Sequence, residues 1–174
     1  MSEEEASESI RDIDDADHDG RVERLVELTV QLSDAEYVGY AGQAAQWLFE
    51  DVKATWLYGC FASTVVTAHA FCMLQLSNLI RMAPDDPTLP VDAPSLEQLA
   101  SLAVEKKLID INHQAELLTL NDRFRFYSSA FLHEQDFGFE RHLLDADALG
   151  DEHALQIDAR QALRTAIRSQ HKSK

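Results

Sequence analysis

Five residues able to offer nitrogen or oxygen to a divalent cation crowd the stretch 133–142: His133, Glu134, Asp136, Glu140 and His142. Imidazole and carboxylate donors at this density are the raw material of a metal site. Their order does not match a helical His-Glu-x-x-His pair or another recognised ligand spacing. The stretch therefore reads as a solvated loop, with no metal. Asp136-Phe137-Gly138 stands without any other kinase element. No glycine-rich loop offers its backbone to a phosphate, so no nucleotide cofactor of that type is expected, nor any other cofactor. His69 sits in an apolar run with no acid or nucleophile paired to it locally, and reads as a hydrogen-bonded core or groove histidine. Arg160, Arg164 and Arg168 recur every four residues and share one helical stripe. Such a stripe complements the dipole at a helix C-terminus. As a binding patch it suits a phosphate backbone or an acidic partner, the chain's own acidic tail included.

These groups must be positioned by a chain of 174 residues, a length that fits one domain with a real core. Residues 1–19 hold nine acids and one arginine, which is half of the net charge of −16. After Asp158 there are five basic residues and no acid. The acid excess excludes broad, non-specific nucleic-acid affinity but leaves room for RNA at a local basic patch. Cys60 and Cys72 are twelve residues apart. On one straight helix that is about 18 Å of rise, beyond disulfide reach. They read as small core residues in a reducing compartment. The N-terminus is acidic rather than basic-then-apolar, and a cytoplasmic location is expected.

The stretch 60–80 carries no Asp, Glu, Lys or Arg. It is either a membrane span or the central helix of a core. Ser63, Thr64, Thr67, His69, Gln75, Ser77 and Asn78 are costly in hydrocarbon unless satisfied. The flanks also lack the basic loops and aromatic belts of a span. The expectation is a core helix over about 60–82 and no membrane partner.

Around it, residues 1–19 read as a disordered acidic tail and 20–174 as a single helical domain. A helix is expected over 21–33, with Val22, Leu25, Val26, Leu28 and Leu32 inward. Another is expected over 35–58, with Tyr37, Tyr40, Ala44, Trp47, Leu48, Val52 and Trp56 on its seam and Glu50 and Lys53 on its wet side. Residues 83–94 hold all four prolines and make a stiff connection. Ser95 and Gln98 have the spacing of a capping box, and Leu96, Leu99, Leu102 and Ala103 make the stripe of the helix they start. Asp110 or Asn112 caps a helix to about 132, with Leu117, Leu120, Phe124, Tyr127 and Phe131 along its seam. Residues 133–150 read as a loop, and 151–170 as the last helix. No segment has the period of a strand. The fold class is all-α: a four-helix antiparallel bundle with an extra N-terminal helix.

WLFEDVKATWLYGCFASTVVTAHAFCMLQLSNLI resembles the first helical hairpin of the HEPN domains (higher eukaryote and prokaryote nucleotide-binding), an amphipathic helix ending at glycine before a helix rich in small residues. SLEQLASLAVEKKLID, LLTLNDRFRFYSSA and IDARQALRTAIRSQ are similar to the family's later helices, so the resemblance covers roughly residues 40–170. The family's catalytic signature is Arg-x4-6-His, and its catalytic members are metal-independent ribonucleases whose motifs meet at a dimer interface.

Carried onto this chain, the signature falls on Arg123, Arg125, Ser128 and His133. It is degenerate: Phe124 replaces a polar residue, Ser128 stands where the histidine belongs, and His133 lies ten residues beyond Arg123. A serine hydroxyl does not titrate near neutral pH and cannot do the histidine's proton transfer. The resemblance thus implies a non-catalytic HEPN-like binding or regulatory module, dimeric, of the kind used in defence or toxin–antitoxin systems. Its alternatives are a diverged ribonuclease using Arg123, Arg125 and a nearby histidine, and an acidic inhibitor or adaptor that engages a basic protein. Surplus aromatic area at Trp47, Trp56 and Tyr58 is expected to serve a homodimer.

Overall fold

The computed structural model describes residues 17–33, 39–83, 94–132 and 154–170, without the side chains at 129–132. The described residues are all-helical: α1 (His18–Ser33), α2 (Gln43–Leu57), α3 (Phe61–Met82), α4 (Leu96–Glu105), α5 (Ile111–Leu132) and α6 (Ala154–Ser169). The uncharged run is α3, and it packs on α2, α4, α5 and α6. Val65, Ala68, Phe71, Cys72, Leu76 and Ile80 are buried along it. Its length and composition also suit a membrane span, but several of its polar side chains have partners inside the protein. Thr64 and Thr67 donate back to the Cys60 and Ser63 carbonyls. Gln75 accepts from the Ala41 amide at 2.9 Å, and Asn78 donates to the Ala41 carbonyl. These two side chains hold the turn that launches α2.

Helix α2 starts at Gln43, not 35, because Gly39 and Gly42 at φ 106° and 108° leave helical geometry. Its buried seam is Ala45, Phe49, Val52 and Trp56. Ala44 and Trp47, read as seam residues, face water. Trp56 is fully buried, so only Trp47 and Tyr58 of the three expected surface aromatics are exposed. Tyr37 and the 35–38 stretch lie outside the described residues. Lys53 pairs with Glu50 at 2.6 Å on the wet side, as the spacing predicts. The helix ends in a Schellman turn: Cys60 N–H bonds the Thr55 carbonyl and Gly59 N–H the Trp56 carbonyl. Gly59 sits at φ 69°, where a side chain is strained. Cys60, read as a core residue, is exposed, whereas Cys72 is buried; both are free thiols.

Ser95 and Gln98 make both bonds of the expected capping box at α4. Leu96, Leu99, Ala100 and Ala103 are its buried face, with Leu102 half-buried. Asp110 rather than Asn112 caps α5, accepting from the His113 amide at 2.7 Å. That bond, more than the neighbouring Arg168, holds the Asp110 carboxyl below its usual range. Leu117, Leu120 and Tyr127 are buried as expected, and Phe131 is not described at side-chain level. Helix α6 is described from Ala154, and the expected start at 151 lies outside the described residues. It turns Ala159, Ala162, Leu163, Ala166 and Ile167 into the core, where small side chains let it lie close against α3.

The reading of α1 needs correction. It begins at His18, inside the stretch assigned to the tail. Leu28 is buried and Leu32 half-buried, as expected. Val22, Leu25 and Val26, expected inward, are between 47% and 59% exposed, and Val30 joins them. Arg24 takes the inward place. Its Nε donates to the Leu57 carbonyl at 3.0 Å, it pairs with Asp17, and its guanidinium lies over the Phe61 ring. Trp56 Nε1 donates to the Arg24 carbonyl. A cation is tolerated there because the end of α2 presents carbonyls without intrahelical partners.

Candidate functional site

Helix α5 carries Arg123, Arg125 and Ser128, and α3 and α6 flank it. Two turns of α5 set Arg123 and Tyr127 on the face toward α6. Both reach Asp158, which is 6% exposed: Tyr127 Oη donates to Oδ2 at 2.7 Å, and Arg123 Nε pairs with Oδ1 at 3.1 Å. Burial first, then the Asp158 carboxylate, raise the Tyr127 hydroxyl far above its ordinary range. Tyr127 is thus a hydrogen-bond donor and no general base. The sequence reading did not find Asp158, which lies 31 residues from Tyr127; its only signal is an acid among the inward positions of α6.

Phe124 stacks on His69 with ring centroids 3.8 Å apart and planes 8° from parallel. His69 Nε2 lies 3.3 Å from Asn121 Oδ1. Burial lowers the His69 pKa, the Asn121 bond opposes that, and the Arg125 charge adds to the lowering. A neutral imidazole beside Arg125 has the ingredients of a general base and a charge stabiliser. The ring is buried and one face is covered by Phe124, which restricts access to it. Arg125 is exposed. Ser128 donates to the Arg125 carbonyl at 3.2 Å, a bond within its own helix. His133 lies outside the described residues, as do Glu134, Asp136, Glu140 and His142. Among the described residues no group of three His, Cys, Asp or Glu side chains is placed to hold a metal.

A second polar cluster went unseen in the sequence. Ser169 Oγ lies 3.0 Å from His113 Nε2 and 3.4 Å from Cys72 Sγ, and donates to the Thr165 carbonyl. A serine, an imidazole and a thiol resemble nucleophilic machinery. All three are buried, and burial pushes the Cys72 thiol up to about 12, so the thiolate nucleophile is absent near neutral pH. The cluster joins α3, α5 and α6 as a structural bond set.

The arginine stripe of α6 lies as the spacing predicts, but its charges are answered within the chain. Arg160 Nε meets Glu27 Oε1 at 2.7 Å, and Arg164 approaches the same oxygen at 3.8 Å. Arg168 bonds Asp110 and Glu116 at 2.9 and 2.6 Å. Arg160 also lies over the Trp56 ring. Glu116, Ile157, Arg160, Gln161, Arg164 and Thr165 line an open cleft of about 500 Å³. Its cations are balanced by Glu27 and Glu116, so it lacks the charge surplus of a phosphate-tracking groove.

The chain matches no protein-family model, no characterised protein and no solved structure.

Proposed function

We propose that this protein is a HEPN-like four-helix antiparallel bundle acting as a non-catalytic binding or regulatory module. The observation that carries the reading is the Arg123–Asp158–Tyr127 arrangement. The arginine that would stabilise a phosphoryl transition state is instead the counter-ion of a buried carboxylate. Phe124, in place of a polar residue, packs on His69, and Ser128 bonds its own helix. The ribonuclease alternative draws on one observation, the neutral His69 near Arg125.

An RNA-cleavage assay with the purified chain, Arg125→Ala and His69→Ala tests the proposal. No cleavage above background in any of the three is expected. Cleavage by the parent chain that is lost in both variants overturns it, since a positioned acid or base contributes a factor of about 10² to 10⁴.

A further inference from the structure

Among the described residues, one face of helix α1 is left uncovered. Among the described elements it packs on α2 and α6, through Arg24, Glu27 and Leu28. Val22, Leu25, Val26 and Val30 stand on the opposite side, each about half exposed. Their spacing is that of one helical stripe, and no charged side chain interrupts it. Exposed Asp19 and Glu23 border its N-terminal half. Residues 1–16, which lead into it, add seven acids and one arginine.

We propose that this stripe is a docking surface for a basic amphipathic helix of another protein. Such a helix lays its apolar anchors at i, i+3, i+4 and i+7 on the valines and leucine. Its flanking Lys and Arg meet Asp19 and Glu23. Charge selects this occupant over the others. The chain's own first sixteen residues carry the same sign as Asp19 and Glu23 and offer few apolar side chains. A second copy brings identical carboxylates and another charge of −16. An anionic bilayer repels the same groups. A 16-residue helix is about 24 Å long, and pairing along that length falls short of the roughly 800 Å² per partner of a standard stable interface. The docking is therefore a transient, salt-sensitive association. It does not depend on how the α5 signature is read.

The test uses the full chain and a fluorescein-labelled peptide of about 18 residues, with leucine on one helical face and lysine at its borders, followed by fluorescence anisotropy. Leu25→Gln/Val26→Thr is expected to weaken binding about tenfold. Asp19→Asn/Glu23→Gln weakens it about threefold and flattens its salt dependence. Glu97→Gln/Glu105→Gln, two exposed acids on α4, changes neither. Circular dichroism checks that each variant is folded, and Val22→Thr/Val30→Thr replaces any that is not. Equal binding by the α1 variants overturns the proposal. So does light scattering that shows a dimer dissolved by Leu25→Gln/Val26→Thr, or sedimentation with phosphatidylcholine vesicles that the same change abolishes.

Discussion

Helices α1 and α6 have the same length, 16 residues, and both are amphipathic, yet they meet the core in opposite ways. Helix α6 turns its alanines, Leu163 and Ile167 inward and takes Asp158 with them. Helix α1 turns its valines outward and buries Arg24 beside Leu28. Hydrophobic period locates a stripe; what the neighbouring elements lack decides which way it faces. Beside α6 there is apolar surface on α3 to cover. Beside α1 there are carbonyls at the end of α2, and an arginine answers them better than a valine. Burying a guanidinium is tolerable because Leu57, Asp17 and the Phe61 ring replace its water.

The largest effect should come from the buried acid on α6. Asp158→Ala takes the acceptor from Tyr127 and the counter-ion from Arg123. A buried pair broken on one side costs several kcal/mol, discounted here because the Arg123 side chain is 43% exposed. The expected loss is about 3 kcal/mol by urea denaturation. Tyr127→Phe alone should cost about 1 kcal/mol. The double variant should fall short of the sum, because the two groups share one bond. Additivity would show that they do not interact.

The inward cation of α1 comes next. Arg24→Met keeps an apolar stem over Phe61 but loses the bonds to Leu57 and Asp17. A loss of about 2 kcal/mol is expected. A gain instead would mean that α1 prefers an apolar residue there, and the contrast with α6 would collapse.

How much of this was legible beforehand follows the same divide. Sequence-local chemistry was readable: the Ser95–Gln98 capping box, an α5 cap narrowed to Asp110 or Asn112, the Glu50–Lys53 pair and the glycine break at 59 each depend on residues within five positions. The all-helical class and the central place of the uncharged run were readable too, because period and composition are summed over many residues. The orientation of α1 was not, since it depends on a carbonyl 33 residues away. Trp47 and Trp56 were read onto one seam, but nine residues make about two and a half turns, and they lie on opposite sides of α2. At the candidate site, the arginine spacing on α6 was legible while its partners Glu27, Asp110 and Glu116 were not. Asp158 showed only as an acid among the inward positions of α6, and Ser169 not at all, because their partners are set by α5 packing on α6.

A smaller, pH-dependent effect sharpens the picture of the α3–α5 contact. The folded-state pKa of His69 is depressed, chiefly by burial. Protons therefore bind the unfolded chain more readily than the folded one. Stability is full above the unfolded histidine value, about 6.5, and falls as pH drops from there toward the depressed folded value. In His69→Gln this part of the slope should vanish. Thermal unfolding between pH 8 and pH 5 reads it as a smaller change in Tm for the variant than for the parent chain. Equal slopes would mean that the ring is protonated as easily in the fold as out of it, and that the Phe124 stack does not exclude water.

The smallest effect belongs to the outward face of α1, and its smallness is the point. Leu25→Gln removes an aliphatic side chain that is already half in water and that is directed away from α2 and α6. Glutamine and leucine have similar helix propensities, so the backbone has little reason to respond. The hydrophobic loss is confined to the part of Leu25 that the helix itself covers. Substitutions of this kind fall within about 0.5 kcal/mol of neutral. Urea denaturation should give the same slope and a midpoint shifted by no more than that amount. Beside it, Leu28→Ala on the inward side creates a cavity and should cost about 2 to 4 kcal/mol. The ratio of the two losses measures which way α1 faces. If Leu25→Gln cost as much as Leu28→Ala, the valine stripe would be the buried one, and α1 would pack as α6 does.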